Sequence, residues 1–355
     1  MPASTQTPPA ADGAQLYAQL RAASGGIKRF HALRAALDAG LFEHLEHPRD
    51  ADALAGQLGL DPGLTRALCA LLGEMDLLRR EPRGWRRTEL AAAFLDPRSS
   101  LYQGEVLRCM EEGFDLWRRL PELLRQGPVD MAREQVFKGN FIDALGREGL
   151  LREIRACARA VAAAPGFAQA RLALDLGGGH GLHAWSLCEL NPGLRAVVLD
   201  TPGTQPVFEA FAREFGYQRM EFRPGHLVRD DWGGGYDLIF FSYSPWGKQR
   251  GILERIHQAL APGGLFVTKH AYYNAGEGSK SPLVDLDWLL TRFPGIDKGP
   301  NVYRFAGDMA REEFLAFFLE RYELLAQLEA RQFASPDLDK FGDRLDSQLL
   351  IGRKR

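Results

Sequence analysis

Several things are scarce in this 355-residue chain, and each shortage removes a class of function. Only four cysteines occur, Cys69, Cys109, Cys157 and Cys188. They lie far apart, mostly in apolar helical stretches, which suits core thiols and excludes a disulfide framework or a zinc-ligand spacing. No apolar run approaches the ~20 residues of a membrane span, and the opening MPASTQTPPAADG has no apolar signal core. Residues 1–12 are therefore expected to form a disordered tail, and the protein to be cytoplasmic. A formal charge of −2 lacks the basic excess that draws proteins to nucleic acid or anionic lipid. The dinucleotide fingerprint is incomplete as well: counted from Gly177, its third glycine falls on Leu182.

What is present is the run Leu172-Ala-Leu-Asp-Leu-Gly-Gly-Gly-His-Gly-Leu182, an apolar strand that breaks into glycines and reopens as a helix. Glycines let backbone N–H groups approach a ligand closely, and a helix start offers unpaired donors at its positive end. Asp175 ends the strand, where it can hold the loop or meet a positively charged ligand group; Gly177, Gly178, Gly179 and Gly181 form the turn. A second apolar strand closes on Asp200-Thr201, at the distance where a carboxylate accepts from both hydroxyls of a ribose. A glycine loop with a ribose acid and no pyrophosphate-type third glycine favours S-adenosylmethionine over NAD. A bare strand–helix turn is the competing reading of the glycines alone.

Further along come YDLIFFSYSPW at Tyr236–Trp246 and ALAPGGLFV at Ala259–Val267. With DLGGGHG at 175–181 and VLDTP at Asp200, in this order and spacing, the chain resembles the two-domain small-molecule methyltransferases. That family includes plant phenolic, hydroxyneurosporene-type and antibiotic-tailoring O-methyltransferases. The resemblance implies an α/β fold: a C-terminal Rossmann-like class I methyltransferase sheet behind an N-terminal all-helical, winged-helix-like dimerisation domain. It also implies a homodimer, S-adenosylmethionine as cofactor with S-adenosylhomocysteine as product, and a small-molecule acceptor.

The domains are expected at 13–99 (dimerisation), 100–164 (linking helices roofing the acceptor pocket) and 165–355 (cofactor domain). In the first, Phe30, Leu33, Leu37, Leu41 and Leu45 form an apolar stripe within a helix read from Ile27, which suits a dimer interface or an ordinary core. The winged-helix order keeps a DNA-binding regulator as a third reading. Against it, Pro62–Asp76 sets Arg66 against Asp61, Glu74 and Asp76, whereas a groove-reading helix needs several basic residues. In the second, Met110, Phe114 and Trp117 share a helical face of Leu101–Arg125 and are candidates to hold a planar acceptor, a plain core stripe being the alternative. Phe137 and Phe141 flank a Gly139-Asn140 break near the same cleft.

Beyond Arg171 strands and helices alternate, as in a parallel sheet with ligands at its C-terminal strand ends. Strands are read at 172–176, 196–199, 220–222, 236–241 and 265–269, with an edge hairpin from 323–328 and 347–352. The ends carry Asp175, Asp200, His226 with Leu227, Ser242 with Tyr243, and His270. Trp246, Asp285 and Trp288 are added as acceptor contacts, and Glu277 as a polar contact from a loop over the site.

Two ends depart from the family. Its third strand leads into Gly-Asp, whose acid meets the adenine amino group, where this chain has Gly225-His226-Leu227; a neutral histidine can also accept. Its fourth leads into His-Asp-Trp, whose histidine deprotonates the acceptor, where this chain has Ser244-Pro245-Trp246. A phenol of pKa about 10 is a poor nucleophile while protonated. Three solutions are open: the base has moved to His270 or Tyr243, the acceptor needs no base and positioning supplies the rate, or the protein binds the cofactor without transferring methyl. No metal is expected, because His180, His183, His226 and His270 lack a carboxylate or cysteine at a recognisable spacing.

Overall fold

The structure is a computed structural model that describes residues 13–131, 139–274, 276, 282–293, 296–299, 304–329 and 347–355. Phe137, Asn140's side chain and Glu277 lie outside the described residues. The chain divides into two compact units, 1–108 and 109–355.

In the first unit the helix expected from Ile27 begins at Gly13 and runs to Asp38, straight through Gly25-Gly26. Short helices follow because capping residues sit where they are needed. Asp50 caps Ala51–Leu58 through the Asp52 and Ala53 amides; Asp61, followed by Pro62, caps Pro62–Glu74; Thr88 caps Glu89–Phe94. Between the last two lies the hairpin β1 (Leu78–Glu81) and β2 (Gly84–Arg87). Leu41, Leu45, Leu54, Leu72 and Leu78 form the core of this unit, while Leu16, Tyr17, Leu20 and Ile27 stand exposed on the long helix. The basic residues of the wing are tied down: Arg79 pairs with Glu81 at 2.8 Å, Arg87 with Asp96 at 2.8 Å, and Arg80 covers the Trp85 ring. Arg66 pairs with Asp52.

The second unit starts within helix Gly104–Arg118, continues through Leu120–Gln126, and pairs β3 (Val129–Asp130) with β9 (Thr291–Arg292). Helices Gly139–Arg152 and Ile154–Ala162 meet at Glu153, so among its described residues the 100–164 region holds four helices where two are read from the sequence. The main sheet has β4 (Leu172–Leu176), β5 (Arg195–Asp200), β6 (Met220–Pro224), β7 (Tyr236–Ser242), β8 (Leu260–Ala271), β10 (Tyr322–Glu329) and β11 (Ser347–Lys354). Its order is β10-β11-β8-β7-β4-β5-β6, parallel except for β11, which is antiparallel to both neighbours.

Alternation along these strands sorts side chains onto two faces. Ala173, Val198, Phe240, Leu265 and Val267 pack with helices Ile154–Ala162 and Leu182–Leu190. Leu174, Leu199, Phe241 and Phe266 pack with helices Arg250–Ala259 and Arg311–Arg321. Both faces are covered, so the strands read as nearly continuous apolar runs and polar groups gather at their C-terminal ends. Among the described residues no helix is long and apolar enough to cross a membrane.

Candidate functional site

The glycine loop joins β4 to helix Leu182–Leu190 at the centre of the sheet. Gly177, Gly179 and Gly181 have φ of 69°, 47° and 75°, backbone that side chains rarely adopt. A Cβ at Gly178 would stand 2.5 Å from the Asp175 carboxylate, so this glycine gives the buried acid its room. Leu227 packs over Gly177. His180 is a structural cap: its Nδ1 accepts from the Leu182 amide at 3.1 Å, and its carbonyl accepts from Tyr217 Oη at 2.9 Å.

The two carboxylates differ. Asp200 Oδ2 accepts from the Gly179 amide at 2.8 Å, and Oδ1 from the Thr201 amide at 2.6 Å and its hydroxyl at 3.3 Å. Burial raises its pKa while those amides oppose the shift. Oδ1 already takes two donors, whereas Oδ2 takes one of those named. Asp175 is buried more completely, and its Oδ2 has no partner among the described residues. Burial pushes its pKa to about 7, against the Ala184 amide, which favours the charge; the Asp200 charge raises it further and Lys269 opposes. An orphaned buried oxygen on Asp175 beside a glycine-rich loop, with the Asp200 carboxylate at the next strand end, fits a ligand with a sugar hydroxyl and a positive charge.

His226 follows β6, and its Nδ1 accepts from the Val228 amide at 3.1 Å. That bond uses Nδ1 of the ring as an acceptor. Its ring lies 5.6 Å from that of Trp246. The segments that follow β6 and β7 therefore meet, and Trp246 stands beside His226.

His270 is fully buried on the face of Phe241, ringed by Phe241, Tyr243 and Tyr272. Gly247 lies against it so closely that a Cβ there would fall 2.0 Å from the imidazole. Burial, then Lys248 and Lys269, hold its pKa well below the usual range. The ring is enclosed, and its Nε2 has no partner among the described residues.

Tyr243 does reach the surface, and its φ of 47° marks a strained strand end. Its hydroxyl shares a 2.5 Å hydrogen bond with Ser347, and its ring lies 4.5 Å from Lys269 Nζ. Ser242 pairs with Lys269 across the ladder. Lys269, one residue before His270 and on the opposite face, is completely buried; it donates to Glu153 and, at 3.5 Å, to His183 Nε2. Sequence reasoning missed Lys269 and Glu153. The available signal was a lysine closing the apolar run Leu265-Phe-Val-Thr, since a charge in a strand covered on both sides must be paired.

Of the expected acceptor contacts, Met110 is exposed, and Phe114 and Trp117 are half-buried. Trp117 Nε1 donates to Asp287 at 2.5 Å, which joins helix Gly104–Arg118 to helix Pro282–Leu289. Asp285 is buried on the latter. Trp288 is engaged elsewhere, with Lys298 Nζ 3.8 Å from its ring and Phe293 and Phe305 at its edges. Among the described residues no three histidine, cysteine or acidic side chains converge to hold a metal.

Residues 22–97 match the O-methyltransferase dimerisation domain. Over 346 residues the chain is 28% identical to an uncharacterised protein of Methanocaldococcus jannaschii, covering 92% of this chain and 93% of that one. It is 27% identical to the acetylserotonin O-methyltransferase of Bos taurus over 317 residues, 81% of this chain and 90% of the relative. Human N-acetylserotonin methyltransferase, solved in complex with S-adenosylmethionine, superposes with a TM-score of 0.65 at 20% identity, over 98% of this chain and 99% of that one. The fold is that of a class I methyltransferase. Its glycine loop and Asp200 stand at the C-terminal strand ends of that methyltransferase sheet, where open α/β sheets bind ligands.

Proposed function

We propose that this chain is an S-adenosylmethionine-dependent methyltransferase acting on a small aromatic secondary metabolite, assembled as a homodimer through its N-terminal unit. The observation that carries the reading is the bond from the Gly179 amide to Asp200, which couples the ligand-approach loop to the residue suited to a ribose. When bound, the cofactor supplies a methyl group on a positively charged sulfur. Asp200 and Thr201 would hold the ribose, Gly177–Gly181 the approach to the sulfur, Leu227 and His226 the adenine, and Asp175 the positive charge.

The acceptor forms its new bond to methyl as the carbon–sulfur bond breaks, and any proton it carries must leave. Ser244 stands where a base is usual, and His270 is sealed. Positioning of an acidic phenol, an enol, a nitrogen or a thiolate is therefore the main source of rate. The same missing base favours a second reading, a relative that retains the cofactor but catalyses hydroxylation, decarboxylation or cyclisation. Calorimetry with S-adenosylmethionine tests binding. Incubation with phenolic, enolic and heteroaromatic acceptors then separates the readings: S-adenosylhomocysteine accumulates only if methyl is transferred, and binding without accumulation favours the second.

A further inference from the structure

The Lys269–Glu153–His183 cluster is not used by the reading above. It joins β8, the junction between helices Gly139–Arg152 and Ile154–Ala162, and the first turn of the helix that leaves the glycine loop. Lys269 is wholly enclosed, and Glu153 keeps 16% of its side chain exposed. His183 stacks on Phe240 of β7 with ring centroids 4.6 Å apart, so the lysine, rooted on β8, brings its ammonium over β7. Tyr243, at the end of β7, lies against the same ammonium. Replacing such an enclosed ion pair with apolar groups is often neutral or stabilising, so its stability value alone does not account for it.

Placement along the sheet suggests what it is for. The order β6-β5-β4-β7-β8 puts His226 and Asp200 on one side of the glycine loop and this cluster on the other. A ligand with its ribose at Asp200 that runs along the loop reaches β7 after two strand spacings, roughly 10 Å. On the proposed reading, the part of the cofactor lying there is its amino-acid end, which carries one ammonium and one carboxylate. The cluster carries the complementary pair.

Resting on that reading, we propose that Glu153 and Lys269 form a clamp for the amino-acid end of the cofactor, Glu153 taking its ammonium and Lys269 its carboxylate. The exchange replaces one ion pair with two and leaves neither buried charge unpaired. His183, neutral and fixed on Phe240, positions the lysine.

The test compares S-adenosylhomocysteine with 5′-methylthioadenosine, which keeps the adenosine and sulfur but lacks the amino-acid end, by calorimetry on the full chain. The wild-type protein should bind S-adenosylhomocysteine more tightly. Glu153→Gln and Lys269→Met should each weaken it at least about tenfold while changing 5′-methylthioadenosine less than about threefold. Thermal melts check folding, and Glu153→Gln, at the partly exposed member, carries the test if Lys269→Met does not fold. Unchanged S-adenosylhomocysteine affinity, or equal weakening of both ligands in a folded variant, overturns the clamp. If neither ligand binds the wild-type chain, the proposed function itself fails, and the clamp with it.

Discussion

The two halves of the sheet's C-terminal edge are built on different terms. On the β4–β5 side, polar groups belong to short-range motifs: Asp200 is fixed by the amides of Thr201 and Gly179, and His180 caps the helix two residues on. On the β7–β8 side they are assembled from distant segments, with Lys269 meeting Glu153 and Tyr243 meeting Ser347. A half built locally keeps its ligand chemistry as long as its motif survives. A half built from remote pieces can exchange its chemistry residue by residue under the same fold. On the proposed function, that difference explains how a chain can keep a cofactor side while replacing its base.

The largest expected effect tests the local half. Asp175 has a folded pKa raised to about 7 by burial, so the folded state binds the extra proton between the ordinary carboxylate range and neutrality. Stability should therefore fall as pH rises through that window and level off above it, by up to roughly 4 kcal/mol for a shift of this size. Asp175→Asn should flatten that slope and raise the melting temperature at pH 8. A slope unchanged in the variant would remove Asp175 as its source. Because a positive ligand favours the ionised acid, wild-type affinity for S-adenosylmethionine should also tighten from pH 6 to pH 8 by calorimetry.

Next, Asp200→Ala should weaken cofactor binding by about 1.5–3 kcal/mol, the worth of hydrogen bonds to a charged group. Unchanged affinity would detach the ribose from this residue. In the first unit, Leu16→Glu with Leu20→Glu places charge on exposed apolar positions of helix Gly13–Asp38 and should shift sedimentation from dimer to monomer. A dimer that persists would move the interface elsewhere.

Smaller effects sharpen the remote half. Tyr243→Phe removes the bond to Ser347 and should cost about 1 kcal/mol in denaturant unfolding. His270→Leu should lower the methyl-transfer rate constant by less than about tenfold, and a loss of 10²-fold or more would restore it as the base.

The same contrast decides what could be read beforehand. β4 was legible to the residue because its apolar run stops at glycine, and the edge strands read at 323–328 and 347–352 nearly so, running 322–329 and 347–354. Asp200 was legible because its partner loop lies about 20 residues away. The Glu153–Lys269 pair was not, since no local pattern links positions 116 residues apart. His270 was placed at the right strand end, but strand alternation fixes only that it faces away from Lys269, not which face is sealed. The helix read from Ile27 begins earlier, at Gly13, because Gly25 and Gly26 lie inside a helix long enough to absorb them.

Helix Gly139–Arg152 lies directly on the glycine loop: a Cβ at Gly146 would sit 3.0 Å from the His180 ring, and one at Gly179 would sit 3.2 Å from Ile142 Cγ2. If the loop holds the cofactor as proposed, contact this close ties the helix to every step in which the loop yields to a ligand. A side chain added at position 146 presses on His180 and Leu182 and not on Asp200, so Gly146→Ala offers a handle on how the helix and the loop move together, leaving the carboxylate in place.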